Sequence, residues 1–342
     1  MKVARCGLDI AKQVFQVHCV DDRGHILLRK TLSRSKVRGF FATLAPCMIG
    51  MEACASAHYW GRELRKFGHN VQLMAAHFVG AYRKSGKNDA NDAEAICEAV
   101  GRPSMRFVPL KTEEQQAILM VHRARELVVA NRTAQVNQIR GLLAEFGLVV
   151  PLGIARLRRQ LPQILEDAEN GLPSLARQTL AGLLEQFHFF DNRVDHYDLQ
   201  ILDLSRQSES AQRLMTIEGV GPVTATAIVA SVGDARVFSG SRQFAAWLGL
   251  TPRQHSTDGR SRLGQMTKRG DCYLRTLLVH GARSLMRHVD RRTDSKSIWA
   301  KELKARRHAN VAAVALAAKQ ARTIWALLAK GTEYRPAVTL TH

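Results

Sequence analysis

Four acidic residues carry the first chemical signal. Asp9 lies in Gly7-Leu8-Asp9-Ile10-Ala11-Lys12, Glu52 in Gly50-Met51-Glu52-Ala53, and Asp89 and Asp92 in Asn88-Asp89-Ala90-Asn91-Asp92-Ala93. Carboxylates gathered at one spot repel each other unless a hard cation sits among them. Mg2+ prefers carboxylate and water oxygens, and a pair of such ions clamps the attacking and leaving oxygens of a phosphodiester. Gly7, Gly50, Ala53, Ala90 and Ala93 are small enough to let a nucleic-acid backbone approach. One acid after a strand is ordinarily a turn or cap residue. The set of four points to phosphodiester chemistry.

A second candidate is Ser256, in Gln254-His255-Ser256-Thr257-Asp258-Gly259-Arg260, which reads as a polar, glycine-containing loop. A serine hydroxyl is a poor nucleophile until a base or a positive field assists it. Arg253, Arg260, Arg262, Lys268 and Arg269 lie close by in sequence, and arginines stabilise the charge that develops on a phosphorus transition state. Most loop serines are merely solvated, so spacing alone does not make Ser256 catalytic. A third candidate is Ile217-Glu218-Gly219-Val220-Gly221-Pro222, similar to a helix-hairpin-helix turn. In such a turn glycines such as Gly219 and Gly221 let backbone N–H groups reach a DNA phosphate at a helix N-terminus. The alternative is an ordinary tight turn between helices.

Composition favours the same partner. The 342 residues hold 50 Lys and Arg against 30 Asp and Glu, a net charge of +20. Such an excess points to a polyanion, most often nucleic acid. From Thr251 to His308 there are fifteen Lys and Arg and five Asp and Glu, so half of the excess falls in about one sixth of the chain. With 46% hydrophobic and 23% charged residues the chain is globular, not disordered. The six cysteines show no C-x-x-C spacing, which argues against a zinc site. Free thiols, no signal peptide and no apolar stretch of membrane-spanning length place the expected protein in the cytoplasm, away from membranes.

The elements that must position these groups are legible from periodicity. Strands are expected at Val3–Asp9, Val14–Val20 and Ile26–Leu32, with a turn at Asp21–Gly24. A helix follows over Val37–Leu44, a strand over Met48–Glu52, a helix over Ala57–Phe67, a strand over Val71–Met74 and a helix over Asp89–Val100. Asp9 and Glu52 then end adjacent strands, while Asp89 and Asp92 share one helical face. Periodicity alone gives an α/β domain over residues 1–110; the acid placement points to an RNase H-like layout. Residues 112–148 and 172–208 read as long helices within a spacer over 111–210. They suit an antiparallel hairpin, a coiled coil between protomers, or a spacer with no partner. A mainly helical basic domain is expected over 211–330, with helices over Cys272–Arg287 and Val311–Leu328, and a loose tail over 331–342.

Together, Asp9, Glu52 and Asp89-x-x-Asp92, the GLDIAK, NDANDA and IEGVGP segments, the run FAAWLGLTPRQHS and the following LGQMTKRGD resemble the DEDD transposases of bacterial insertion sequences. This is the one-hundred-and-ten family with its eleven-eleven subgroup. The likeness covers nearly the whole chain. It implies a RuvC-like N-terminal domain whose four acids bind Mg2+, and a C-terminal domain whose serine attacks the DNA backbone. Ser256 takes that position, with Thr257 the neighbouring candidate. His255 stands where some relatives carry an acid, which leaves open the group that deprotonates the serine. The resemblance also implies a structured non-coding guide RNA and element-end and target DNA as partners. It further implies a homodimer pairing into a tetramer, with composite active sites and a Holliday-junction-like intermediate. One alternative is a metal-dependent Holliday-junction resolvase-like nuclease using activated water. The other is a non-catalytic nucleic-acid-binding protein with structural acids.

Overall fold

The computed structural model describes residues 2–83, 89–257 and 260–335, apart from the side chains of Ser256, Thr257, Arg260 and Ser261. The chain folds as two compact units, Met1–Glu114 and Gln115–His342.

The first unit is a mixed six-stranded sheet with helices on both faces. Strands β1 (Arg5–Ile10), β2 (Val14–Val20) and β3 (Ile26–Ser33) form an antiparallel meander. After helix α1 (Val37–Thr43), β4 (Met48–Glu52) pairs parallel to β1; after α2 (Ala57–Lys66), β5 (Asn70–Met74) pairs parallel to β4. The short helix α3 (Ala76–Val79) and α4 (Asp89–Val100) precede a two-residue strand, β6 (Phe107–Val108), antiparallel to β5. The strand order is β3-β2-β1-β4-β5-β6. Alternation explains the layers. Leu8, Ile49, Met51, Val71 and Leu73 join Phe41, Trp60 and Leu64 of α1 and α2 in one core. Met74 joins Ile96, Ala99 and Val100 of α4 in another.

Two glycines let α4 lie directly on the sheet. Gly7 and Gly50 are register partners. A Cβ on Gly7 would sit 2.0 Å from the Ala93 carbonyl oxygen, and one on Gly50 would sit 2.7 Å from Val100 Cβ. Backbone cannot yield as a flexible side chain can, so Gly7→Ala is expected to destabilise this unit by at least about 3 kcal/mol. A drop in its melting transition by about 10 °C or more checks this. An unchanged transition would mean that α4 shifts freely.

The second unit is mostly helical. Helices α5 (Glu113–Ala144), α6 (Ile154–Glu166) and α7 (Ser174–Gln207) come first. Arg125 bonds Asp198, Arg132 bonds Asp191 and Gln135 bonds the Leu183 carbonyl. The descending partner numbers make α5 and α7 an antiparallel hairpin. Ile139, Leu143, Leu157, Leu161, Leu180 and Phe187 pack its core. Next come α8 (Glu209–Met215), α9 (Pro222–Val232), α10 (Ser241–Trp247), the hairpin β7 (Pro252–Thr257) and β8 (Arg260–Met266), α11 (Cys272–Met286), α12 (Ser295–Arg306) and α13 (Ala309–Lys330). Their shared core includes Leu214, Ile228, Phe244, Leu274, Leu278, Leu316 and Ile324.

Three expectations are corrected. Cys6 and Cys19 are register partners on β1 and β2 and form a disulfide with Cα atoms 4.2 Å apart, so they are not free thiols. Helix α13 is long and apolar enough to cross a membrane by length and composition. Its Leu316, Ala317, Ala321 and Ile324 are fully buried in the second unit's core, which accounts for that apolarity. The tail is not loose from its start, because Tyr334 packs against this core and lies under Lys296 Nζ. Residues 336–342 lie outside the described residues.

Candidate active site

The carboxylate site grows out of the sheet register. Leu8 pairs with Met51 on parallel strands, and the next residues are Asp9 and Glu52. Side chains alternate along a strand, so Asp9 shares the face of Gly7, and Glu52 that of Gly50. This is the face on which α4 rests. Ala93 lies over Gly7 and Val100 over Gly50, so α4 crosses β1 and β4 on this face, and Asp89 and Asp92 of its first turn come near enough to act on Asp9. Burial, then Asp89, Asp92 and Glu52 in that order, push the Asp9 carboxyl up from 3.8 to about 6. Three acids therefore act on Asp9. Among the described residues, no three His, Cys, Asp or Glu side chains are gathered tightly enough to hold a metal ion.

Sequence reasoning missed two neighbours of this site. Arg83 Nε donates to Asp92 Oδ1, placing a guanidinium on one of the acids. Cys54 lies in the loop after β4, where burial followed by Glu52 and Asp9 holds its thiol above the usual range. Cys54 is visible in sequence two residues after Glu52. The Arg83 pairing depends on a tertiary approach that no local pattern announces.

In the second unit, Ser256 lies on strand β7, not on a loop, with Ser261 of β8 as its register partner. The intervening Asp258-Gly259 pair is a hairpin signal available in the sequence, although the flanking residues do not alternate. Asp258 and Gly259 lie outside the described residues, as do the side chains of Ser256, Thr257 and Arg260. Arg253, Arg262, Lys268 and Arg269 are exposed on the hairpin and the segment after it. The glycine turn joins α8 to α9. Gly219 has φ +80°, and a Cβ there would sit 2.8 Å from the Gly281 carbonyl oxygen. Packing therefore demands Gly219 whatever the turn binds, whereas Gly221 is exposed with open space around it. Gln320 Nε2, from buried α13, donates to the Glu218 carbonyl and props the turn from behind.

Comparison with known proteins decides the family. A family model described as "Transposase", of the DEDD IS110 type, matches residues 6–147, and one described as "Transposase IS116/IS110/IS902 family" matches residues 211–297. A "Probable family 20 transposase" of Pseudomonas aeruginosa is 52% identical over 98% of this chain and 100% of its own length. The "Transposase for insertion sequence element IS1111A" of Coxiella burnetii is 43% identical over 96% of this chain and 90% of its own length. That for IS1328 of Yersinia enterocolitica is 40% identical, covering 97% and 98%. The chain belongs to the IS110 family of DEDD transposases. As a transposase it is an enzyme that acts on DNA, and its DEDD domain implies a divalent cation. The chemistry of the donor set suits one, since it is all oxygen, although among the described residues the side chains are not drawn together around a common point. Burial first, and then the neighbouring Asp89, Asp92 and Glu52, raise the Asp9 carboxyl, and a cation would offset the repulsive part of that shift.

A buried polar chain braces the transposase's second unit. His122 of α5 is fully buried, and burial, then Arg125 and Arg123, push its imidazole down to about 4, so it is neutral at pH 7. The Thr226 hydroxyl donates to the Pro222 carbonyl and so accepts from His122 Nε2–H. Nδ1 then accepts from the Tyr273 hydroxyl. This chain ties α5 and the first turn of α11 to the start of α9. His122→Ala strands the Tyr273 hydroxyl, takes one donor from the Thr226 hydroxyl and leaves a gap in the core, and is expected to cost about 3 kcal/mol. Because the folded pKa is depressed, this stabilisation is present above about 6.5 and is lost as pH falls toward about 4. Melting of the wild type and the variant should converge over that window. A constant gap would remove His122 as the titrating group.

Proposed function

We propose that this transposase moves an insertion sequence by phosphodiester strand transfer, with Ser256 as the nucleophile and a Mg2+-binding tetrad of Asp9, Glu52, Asp89 and Asp92. The observation that carries the reading is the shared electrostatic influence of three acids on Asp9, at the ends of paired parallel strands. The strand order, with a central β1 flanked by an antiparallel meander and parallel β4 and β5, supports an RNase H-like, RuvC-like fold for residues 1–110. Residues 111–210 serve as the helical spacer, open to coiled-coil pairing. Residues 211–330 are the basic C-terminal domain.

In this reading Ser256 Oγ forms a bond to phosphorus as the bond from phosphorus to a deoxyribose oxygen breaks. The serine proton is lost to an adjacent acceptor, and the departing oxygen leaves as a hydroxyl. Attack by a different DNA hydroxyl on the serine phosphodiester reverses the exchange and rejoins the strands. Asp9, Glu52, Asp89 and Asp92 would hold Mg2+, which would supply positive charge to the phosphodiester. Arg253, Arg260, Arg262, Lys268 and Arg269 grip phosphates, and the Gly219–Gly221 turn adds backbone donors. The guide RNA, the homodimer pairing into a tetramer and a cytoplasmic site of action belong to the same proposal.

The test uses full-length protein, element-derived RNA, a labelled element junction and Mg2+ or a chelator. Cation-dependent cleavage with a covalent protein–DNA adduct is expected. Cleavage with no adduct would transfer the chemistry to metal-activated water and the resolvase-like reading.

A further inference from the structure

Arg275 lies on the first turn of α11 and is nine-tenths buried. Among the described residues it has no ion-pair partner. Its Nη1 donates instead to two backbone carbonyls, Leu248 at 3.3 Å and Arg269 at 3.4 Å. A buried guanidinium is costly, and an apolar side chain of similar length would fill the same space. What the arginine adds is the link between those carbonyls. Leu248 is the C-cap of α10, at the negative end of that helix, and leads into β7. Arg269 follows β8.

The same two segments touch through their backbones. Gly249 has φ +70°, and a Cβ on it would lie 1.9 Å from the Arg269 carbonyl oxygen. Gly270 has φ +95°, and its Cβ would lie 1.9 Å from the Trp247 carbonyl oxygen. Thr267 N–H donates to the Thr251 carbonyl at 2.9 Å. This close approach brings the Leu248 and Arg269 carbonyl dipoles together, and the guanidinium offsets their repulsion. Helix α11 is held from another side by Tyr273 through His122 and Thr226.

We infer that Arg275 is a positioning residue that cross-links the two roots of the β7–β8 hairpin and so fixes how Ser256 is presented to DNA. It touches neither DNA nor the reacting atoms. The inference rests on Ser256 as the nucleophile.

The experiment compares full-length wild type, Arg275→Met, Arg275→Lys and Ser256→Ala. Four quantities are read: unfolding midpoint, affinity for a labelled element junction, rate of adduct formation at saturating DNA, and native trypsin cutting after Arg253 and Arg262. Methionine matches the arginine in reach and donates nothing. Arg275→Met is expected to slow adduct formation about tenfold or more and to speed hairpin cutting about tenfold. Junction affinity should stay within about threefold, because the phosphate-gripping cations are retained. Lysine keeps the charge, but its ammonium stands on a shorter side chain than Nη1 and reaches the two carbonyls less well, so it should recover part of both losses. If Arg275→Met does not fold, the lysine variant carries the same two readouts with smaller changes. Adduct rates that fall only in step with the unfolded fraction, or hairpin cutting at the wild-type rate, would overturn the inference. An adduct that persists in Ser256→Ala would instead sink the nucleophile reading, and the trypsin arm would still decide the root latch.

Discussion

Ser256→Ala is expected to lower covalent adduct formation and strand cleavage by about 10³-fold or more. Affinity for the element junction should stay close to wild type. The asymmetry follows from how each is built. In the proposed mechanism nucleic-acid affinity would be spread over many cations, and Arg253, Arg262, Lys268 and Arg269 are exposed and would each neutralise a phosphate independently of the hydroxyl. Covalent exchange passes through one oxygen, and no binding energy substitutes for it. Folding should be unaffected, because Ser256 lies on a two-stranded polar hairpin whose roots are fixed by Gly249, Gly270 and Arg275 and not by the serine. Thr257 is the built-in competitor. If Ser256→Ala keeps the adduct and Thr257→Val loses it, the nucleophile moves by one residue. If both variants cleave without an adduct, attack belongs to water at the acidic site.

The acid-bearing elements were legible for a simple reason. Met48–Glu52 is a short apolar run ending in an acid and Asp89–Val100 begins with acids and stops at Gly101, and both have the expected bounds; the strand bearing Asp9, expected over Val3–Asp9, runs over Arg5–Ile10. Each signal is local. The reason Gly7 and Gly50 are glycines was not legible, since it lies in the approach of α4, a contact between distant residues. The Cys6–Cys19 pairing needed the register of β1 against β2, which alternation does not supply. Helix α6 lies between the two expected spacer helices and has Pro162 inside it. A proline argues against a helix even when Leu157, Leu161 and Ile164 recur at helical spacing. The β7–β8 hairpin was missed because its strands are polar on both faces and show no hydrophobic alternation. The positioning groups His122, Arg275 and Gln320 were hidden altogether: each acts by burial and by a partner far away in sequence.

Asp9→Asn is expected to raise the stability of the first unit at neutral pH without added cation, and to abolish activity at the same time. The folded state holds the Asp9 carboxyl at about 6 instead of 3.8. A raised acid contributes stability that is complete below about 3.8 and is lost as pH rises through about 6. At full strength that shift corresponds to about 3 kcal/mol. Solvent reaches this half-buried group, and screening reduces the expected gain to about 1–2 kcal/mol. Asparagine has no charge to hold against Asp89, Asp92 and Glu52, so the wild type should melt below the variant at pH 7 and match it near pH 4. Mg2+ should reverse the order. A bound cation stabilises only the protein that retains the tetrad, so millimolar Mg2+ should raise wild-type melting at pH 7 and leave Asp9→Asn almost unmoved. The same addition at pH 5 should do less for the wild type, because protonated Asp9 is a poor ligand. Arg83→Gln is the companion variant: freeing the Asp92 oxygen from its guanidinium should increase the shift that Mg2+ produces. Equal Mg2+ shifts in wild type and Asp9→Asn would remove Asp9 from the metal site. A wild type that melts above Asp9→Asn at pH 7 without cation would show that the carboxylate is already neutralised by the protein itself.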